Sequence, residues 1–277
     1  CAGKPICLWL GDEASGLGSA ALIDDLANRL GAAIVAAPGG MDVVDSADTA
    51  GVTGVMGHPS AHRVIAESEI CISLGCRMTV TDRAGLDDVL AHTEVIHIGT
   101  QDPRFDRCTS IIVEDFGKTL LQLYDRLAAL SPVAATRPHV SREVLHPPVS
   151  RSSVLPDTRT IVETIDGELP GNARVLIDAG NVGATAVHHL RPLSTQRVAV
   201  ALGMGGMGYA IAAGVGVAIA TGGREGRVVV IAGDGAFFMH GMEFHTAVQH
   251  RAEITLIILN NNAFGMCITR EALYFPE

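Results

Sequence analysis

The sequence predicts an α/β protein made of two doubly wound parallel-sheet domains. Three observations carry that expectation. Short continuous apolar runs alternate with stretches of helical period along two long segments, 1–131 and 158–277. Strands that read as unbroken apolar runs are buried on both faces, as in a parallel sheet covered by helices. Between the segments, "SPVAATRPHVSREVLHPPVSRSSVLPD" holds five prolines, which deny both helix and central strand, so 132–157 reads as a linker. A chain of 277 residues is long enough for two such cores.

In the first segment the strands are "PICLWLG", "AAIVAA", "EICISLG", "EVIHIG" and "SIIVE", and the helices are "GSAALIDDLANRLG", "SAHRVIAES" and "KTLLQLYDRLAAL". In the second segment a helix "TRTIVETIDGEL" leads to strand "ARVLIDAG", helix "GATAVHHL", strand "RVAVALG", helix "MGYAIAAGVGVAIA", strand "RVVVIAGD", helix "MEFHTAVQH" and strand "EITLIILNN". Right-handed crossovers then make the sheet parallel, and ligands of such sheets sit beyond the carboxyl ends of the strands. Those ends carry "DAGN", "LGMGGMG", "GDGA" and "NNNAFG".

Composition excludes several classes. Hydrophobic residues make up 48% and charged ones 18%, the balance of a globular protein with a large buried interior. A formal charge of −10, with no basic cluster, would repel a phosphate backbone, so nucleic acid is not an expected partner. Apolar runs such as "YAIAAGVGVAIA" fall short of the roughly 20 residues a spanning helix needs, so no membrane segment is expected. The six cysteines at 1, 7, 71, 76, 108 and 267 lack the spacing of a zinc site or a disulfide framework and read as reduced thiols of a cytoplasmic protein. The chain starts at Cys1 rather than Met, so its natural N-terminus is expected to lie further upstream.

Two loops carry chemistry. "GMGGMG" at 203–208 satisfies G-x-G-x-x-G between a strand and a helix, with Asp234 as the acid that could hold a ribose hydroxyl. On that reading the chain is an NAD-dependent dehydrogenase. The other pattern is Gly233-Asp234-Gly235, followed after one helix and one strand by Asn260, Asn261 and Asn262. Adjacent parallel strands would bring the carboxylate and a carboxamide to one ion, and oxygen-only ligands suit Mg²⁺ shared with phosphates. Each piece has an ordinary explanation, since glycines end strands and asparagines populate turns. The combination is what points to a site.

This constellation resembles the diphosphate-binding motif of thiamine diphosphate-dependent enzymes, in the acetolactate synthase and pyruvate oxidase branch. The resemblance makes 1–131 a Rossmann-like central domain and 158–277 most of a diphosphate-binding domain that ends early. It implies thiamine diphosphate and Mg as cofactors and decarboxylation or carboligation of a 2-oxo acid as activity. It further implies Asp234, Asn261 and the carbonyl of Ala263 as metal ligands, with Gly233, Gly235 and Ala236 beside the diphosphate. Gly180, Asn181 and Val182 would offer helix-start amides to the same diphosphate. The Gly205 carbonyl would accept from the 4′-amino group, Met207 would prop the bent cofactor, and Met266 would line the reaction site. Phe264 departs from the glutamine that acetolactate synthases tend to carry there.

The glutamate that activates the cofactor ring lies in this family on a separate pyrimidine-binding domain, so no catalytic residue is assigned in this chain. That domain is expected from a missing segment or a partner subunit, in a homo- or hetero-oligomer. A non-catalytic cofactor-binding subunit is the remaining alternative. No flavin is expected, for want of a dinucleotide loop in 1–131. The histidine pair His188 and His189, and His240 and His245, read as packing or surface residues.

Overall fold

The structure, a computed structural model, describes residues 4–130, 137–145 and 156–275. It divides into two compact units, Cys1–Pro147 with Arg191–Ser194, and Pro148–Leu190 with Thr195–Glu277. Of the expected linker, 132–136 and 146–155 lie outside the described residues, as do Cys1 and the last two residues. The described part of that stretch is tied to the first unit. Arg137 pairs with Asp24 and Asp48, and the Arg142 guanidinium donates to Ser46 Oγ at 2.6 Å. The Glu143 amide donates to Ser60 Oγ at 2.9 Å.

In the first unit the strands are β1 (Ile6–Leu10), β2 (Ala33–Ala36), β3 (Ile70–Leu74), β4 (Glu94–Gly99) and β5 (Thr109–Ile112). The helices are α1 (Ala20–Leu30), α2 (Pro59–Glu67), the single turns α3 (Val80–Arg83) and α4 (Asp87–Leu90), and α5 (Phe116–Leu130). The sheet runs β2-β1-β3-β4-β5, every pair parallel. Alternate residues of a strand face opposite sides, so each run builds two cores. Leu8, Leu10, Ile34 and Leu74 pack with Ile23 and Leu26 of α1 and Leu120 of α5. On the other side Cys7, Trp9, Val35 and Cys71 pack with Ile65 of α2 and Leu90 of α4. The described cysteines are all free, with Cys7 and Cys71 side by side in register and fully buried.

The second unit holds α6 (Thr158–Glu168), β6 (Arg174–Ile177), α7 (Asn181–His189), β7 (Arg197–Val200), α8 (Tyr209–Thr221), β8 (Val228–Gly233), α9 (Asp234–His240), α10 (Phe244–Gln249), β9 (Ile254–Leu259) and α11 (Gly265–Tyr274). Its sheet runs β7-β6-β8-β9, again parallel throughout. β6 therefore sits at the switch point, with the chain wound toward β7 on one side and toward β8 on the other. The core joins Leu176, Ile211, Ala218, Val228 and Val230. α8 lies close on the sheet because a β-carbon at Gly214 would overlap the Val230 side chain. The doubly wound α/β expectation holds for both sheets. One element is corrected: the helix expected from Met242 to His250 is preceded by α9, which begins at Asp234 itself, with a 3₁₀ turn at Gly241–Glu243 between α9 and α10. Among the described residues no helix is long and apolar enough to cross a membrane.

Candidate functional site

Every loop singled out in the sequence leaves the carboxyl edge of the second sheet. In strand order the edge carries the loop 201–208 after β7, Asp178–Gly180 after β6, Gly233-Asp234 at the end of β8, and Asn260–Phe264 after β9. The register of β8 on β9 sets Gly233 beside Leu259, which brings the Asp234 and asparagine loops together.

Glycines mark where the loops touch. A β-carbon on Gly235 would stand 2.8 Å from Phe264 Cε1 and 2.9 Å from Met207 Cε, so three loops meet at that backbone. One on Gly265 would stand 3.0 Å from Asn261 Nδ2 and 3.1 Å from Asn181 Nδ2, which places the two carboxamides against the same spot. One on Gly233 would be 3.7 Å from Val182 Cγ2. α7 begins at Asn181 after Gly180, whose φ of 100° and ψ of −173° belong to a region open essentially to glycine alone. Gly205 has φ +63° in the exposed part of its loop.

The expected metal ligands differ in setting. Asp234 is buried at the first position of α9, where the helix dipole favours its negative charge. Asn261 is exposed, and its Oδ1 accepts from the Ala263 amide at 3.1 Å. The Ala263 carbonyl accepts from the Gly265 amide at 2.9 Å. Asn262 turns the loop with φ +54°, its amide bonded to Asn260 Oδ1 at 2.8 Å. A carboxylate, a carboxamide oxygen and a carbonyl oxygen form a hard donor set, each with a lone pair to spare, which fits Mg²⁺. Among the described residues no cluster of three or more His, Cys, Asp or Glu could hold a metal, so this mixed set is the metal candidate. Ala236 is buried behind Asp234 and Met266 is half-buried on α11. His188 and His189 are buried, and His240 lies against Gly208, as packing residues would.

One residue was not singled out in the sequence. Asp178, 1% exposed, accepts on Oδ1 from the amides of Ala179 and Gly208, both at 2.8 Å, and on Oδ2 from Ala210 at 2.9 Å. It caps α8 from the neighbouring strand. The available signal was an acid directly after the apolar run 175–177 and two residues before Gly180, as Asp234 directly follows the strand Val228–Gly233. Its position corrects the dinucleotide expectation. The amides at the start of α8 that a pyrophosphate would need are occupied by a carboxylate, and β6 separates β7 from Asp234's strand.

Residues 2–123 match the central domain of thiamine pyrophosphate enzymes, and 178–276 match their C-terminal thiamine pyrophosphate-binding domain. The chain is 25% identical to the acetolactate synthase large subunit of Haemophilus influenzae, covering 95% of this chain and 48% of that protein. It is 23% identical to the acetolactate synthase isozyme 2 large subunit of Escherichia coli, covering 82% and 41%. To the acetolactate synthase large subunit of Porphyra purpurea it is 25% identical, covering 84% and 40%. The chain thus spans less than half the length of these relatives. With its two units matched in order and the cofactor-domain loops gathered on one sheet edge, the chain belongs to the thiamine pyrophosphate enzyme family.

Proposed function

We propose that this chain supplies the thiamine diphosphate- and Mg²⁺-binding part of an acetolactate synthase-like enzyme that decarboxylates a 2-oxo acid and joins the product to an acceptor. The observation that carries the reading is the meeting of Met207, Gly235 and Phe264 beside the buried Asp234 and the Asn181–Asn261 pair. Asp234, Asn261 and the Ala263 carbonyl would hold the metal. Gly180, Asn181, Val182, Gly233, Gly235 and Ala236 would hold the diphosphate, and Gly205, Met207 and Met266 the ring end. When bound, thiamine diphosphate supplies the electron sink that a departing carboxylate needs.

The reading includes a pyrimidine-binding domain from another segment or subunit. Asn261, Gly205 and Phe264 are exposed, whereas the chemistry requires a site closed to water. Phe238 and Met242, 83% and 84% exposed, present an apolar face on the second unit that suits a partner.

Titration calorimetry of the chain with thiamine diphosphate tests the reading. Binding is expected to require Mg²⁺ and to be lost in Asp234→Ala. Binding that survives this substitution unchanged overturns the metal assignment. Alone, the chain is expected to bind weakly and to show negligible 2-oxo acid consumption; turnover at the rate of a complete relative would overturn the need for a partner domain.

A further inference from the structure

We propose that Asp178 is a positioning residue that holds the 203–208 loop in register for the ring half of the cofactor and leaves the diphosphate half unaffected. The inference rests on the cofactor assignment above, and goes beyond it by naming what fixes the loop.

The loop has few other anchors. β-carbons at Gly203, Gly205 and Gly206 would meet nothing within 4 Å, so this stretch stands clear of the rest of the unit. It is held at its start by the Leu202 amide on the Val200 carbonyl at 2.8 Å. At its end it is held by the Asp178 carboxylate on Gly208 and Ala210, with Met207 against Gly235 between them. Gly208 is left-handed, with φ +88°. A buried carboxylate on helix-start amides makes stronger bonds than a neutral acceptor, because charge and dipole act together. Loss of that hold would let Gly205 and Met207 drift while α8 remained folded on its core. Of the groups proposed for the diphosphate, only Gly180 shares a turn with Asp178; the others lie on α7, β8 and α9, and the metal ligands on α9 and the loop after β9.

Asparagine at 178 separates the two halves. It matches aspartate in shape and keeps one oxygen, but its amide nitrogen must face at least one backbone donor among Ala179, Gly208 and Ala210. The full chain and its Asp178→Asn variant are titrated with thiamine diphosphate and, separately, with inorganic diphosphate, both with Mg²⁺. The variant is expected to bind thiamine diphosphate about tenfold or more weakly, the loss typical of a hydrogen bond to a charged group. Its affinity for Mg-diphosphate is expected to stay within about twofold, since all but one of the groups proposed for it lie outside the turn that Asp178 begins. Equal weakening of both ligands, or no change in either, overturns the proposal. A parent chain that binds Mg-diphosphate but not thiamine diphosphate also overturns it, and one that binds neither overturns the cofactor assignment with it. If the variant does not fold, amide exchange on the parent chain decides. Gly208 and Ala210 are expected to be protected without ligand, and 203–207 to slow with thiamine diphosphate but not with diphosphate. Unprotected Gly208 and Ala210, or a slowing by both ligands alike, overturns it.

Discussion

The backbone of Gly183 presses on the carbonyl of Asp178, so closely that a β-carbon at 183 would overlap the oxygen. This contact lets α7 start within five residues of the end of β6. Gly183→Ala must push the helix off the strand end, and overpacking against backbone costs about 1–3 kcal/mol or more. The denaturant midpoint of the second unit is expected to fall accordingly, as read by circular dichroism. An unchanged midpoint would show that α7 can shift freely.

Gly235 makes the same kind of contact with softer neighbours. The atoms 2.8–3.0 Å from its missing β-carbon belong to the side chains of Phe264 and Met207. Gly235→Ala is expected to cost about 1–3 kcal/mol. Phe264 is half exposed, so Phe264→Ala costs little alone and is expected to restore at least half of the loss in the double variant. Additive effects in that double-mutant cycle would mean that the two residues do not meet.

Trp9, the sole tryptophan, is fully buried in the first unit and donates from Nε1 to Thr53 Oγ1 at 3.1 Å. Its fluorescence therefore reports that unit alone. Thr53→Val keeps the shape but leaves the indole N–H without an acceptor, at a cost of about 1–3 kcal/mol. Thr53→Ser, which keeps the hydroxyl, is expected to lose much less. Equal losses in the two variants would assign the effect to packing.

Asp82 closes a capping box with Thr79, accepting from the Thr79 amide and hydroxyl at 2.8 Å each. Burial is the larger influence and holds its carboxyl above the ordinary 3.8, against the downward pull of those bonds. The folded chain thus keeps this proton to higher pH than the unfolded chain does. The associated stability is fully present below the ordinary value and is lost as pH rises through the folded one. Asp82→Asn removes this dependence, so the stability of the variant relative to the parent is expected to rise as pH climbs from about 4 toward neutrality. Trp9 fluorescence in denaturant at each pH measures it. A relative stability that falls over this range contradicts the burial argument.

Much of both sheets was legible because parallel strands buried on two faces leave an unbroken apolar signature, as in "ICLWL" and "VVVIAG". Turn chemistry exposed the loops, since Gly180 and Gly205 adopt conformations that side chains resist. What stayed hidden was the start of α9 at Asp234, because Gly-Asp-Gly reads as a turn until a helix is seen to accept the aspartate at its amino end. The bonds of Arg137, Arg142 and Glu143 to the first unit were hidden as well, since prolines announce only the absence of regular structure. So was the return of Arg191–Ser194 to that unit, where the Ser46 amide donates to the Pro192 carbonyl at 2.9 Å.

By itself the sequence determined the two α/β segments, the parallel sense of their strands and the four unusual loops at strand ends. Local pattern suffices for these, because period and turn propensity are properties of neighbouring residues. Tertiary structure alone decided the strand order β7-β6-β8-β9. That order puts β6 at the switch point, and with it Asp178 between the loop that leads from β7 into α8 and the strand β8 that leads into Asp234. A carboxylate thirty residues from its partner Gly208 leaves no periodic trace. Only the folded sheet brings the acid and the amide to 2.8 Å, in an interior where an unpaired charge would be costly.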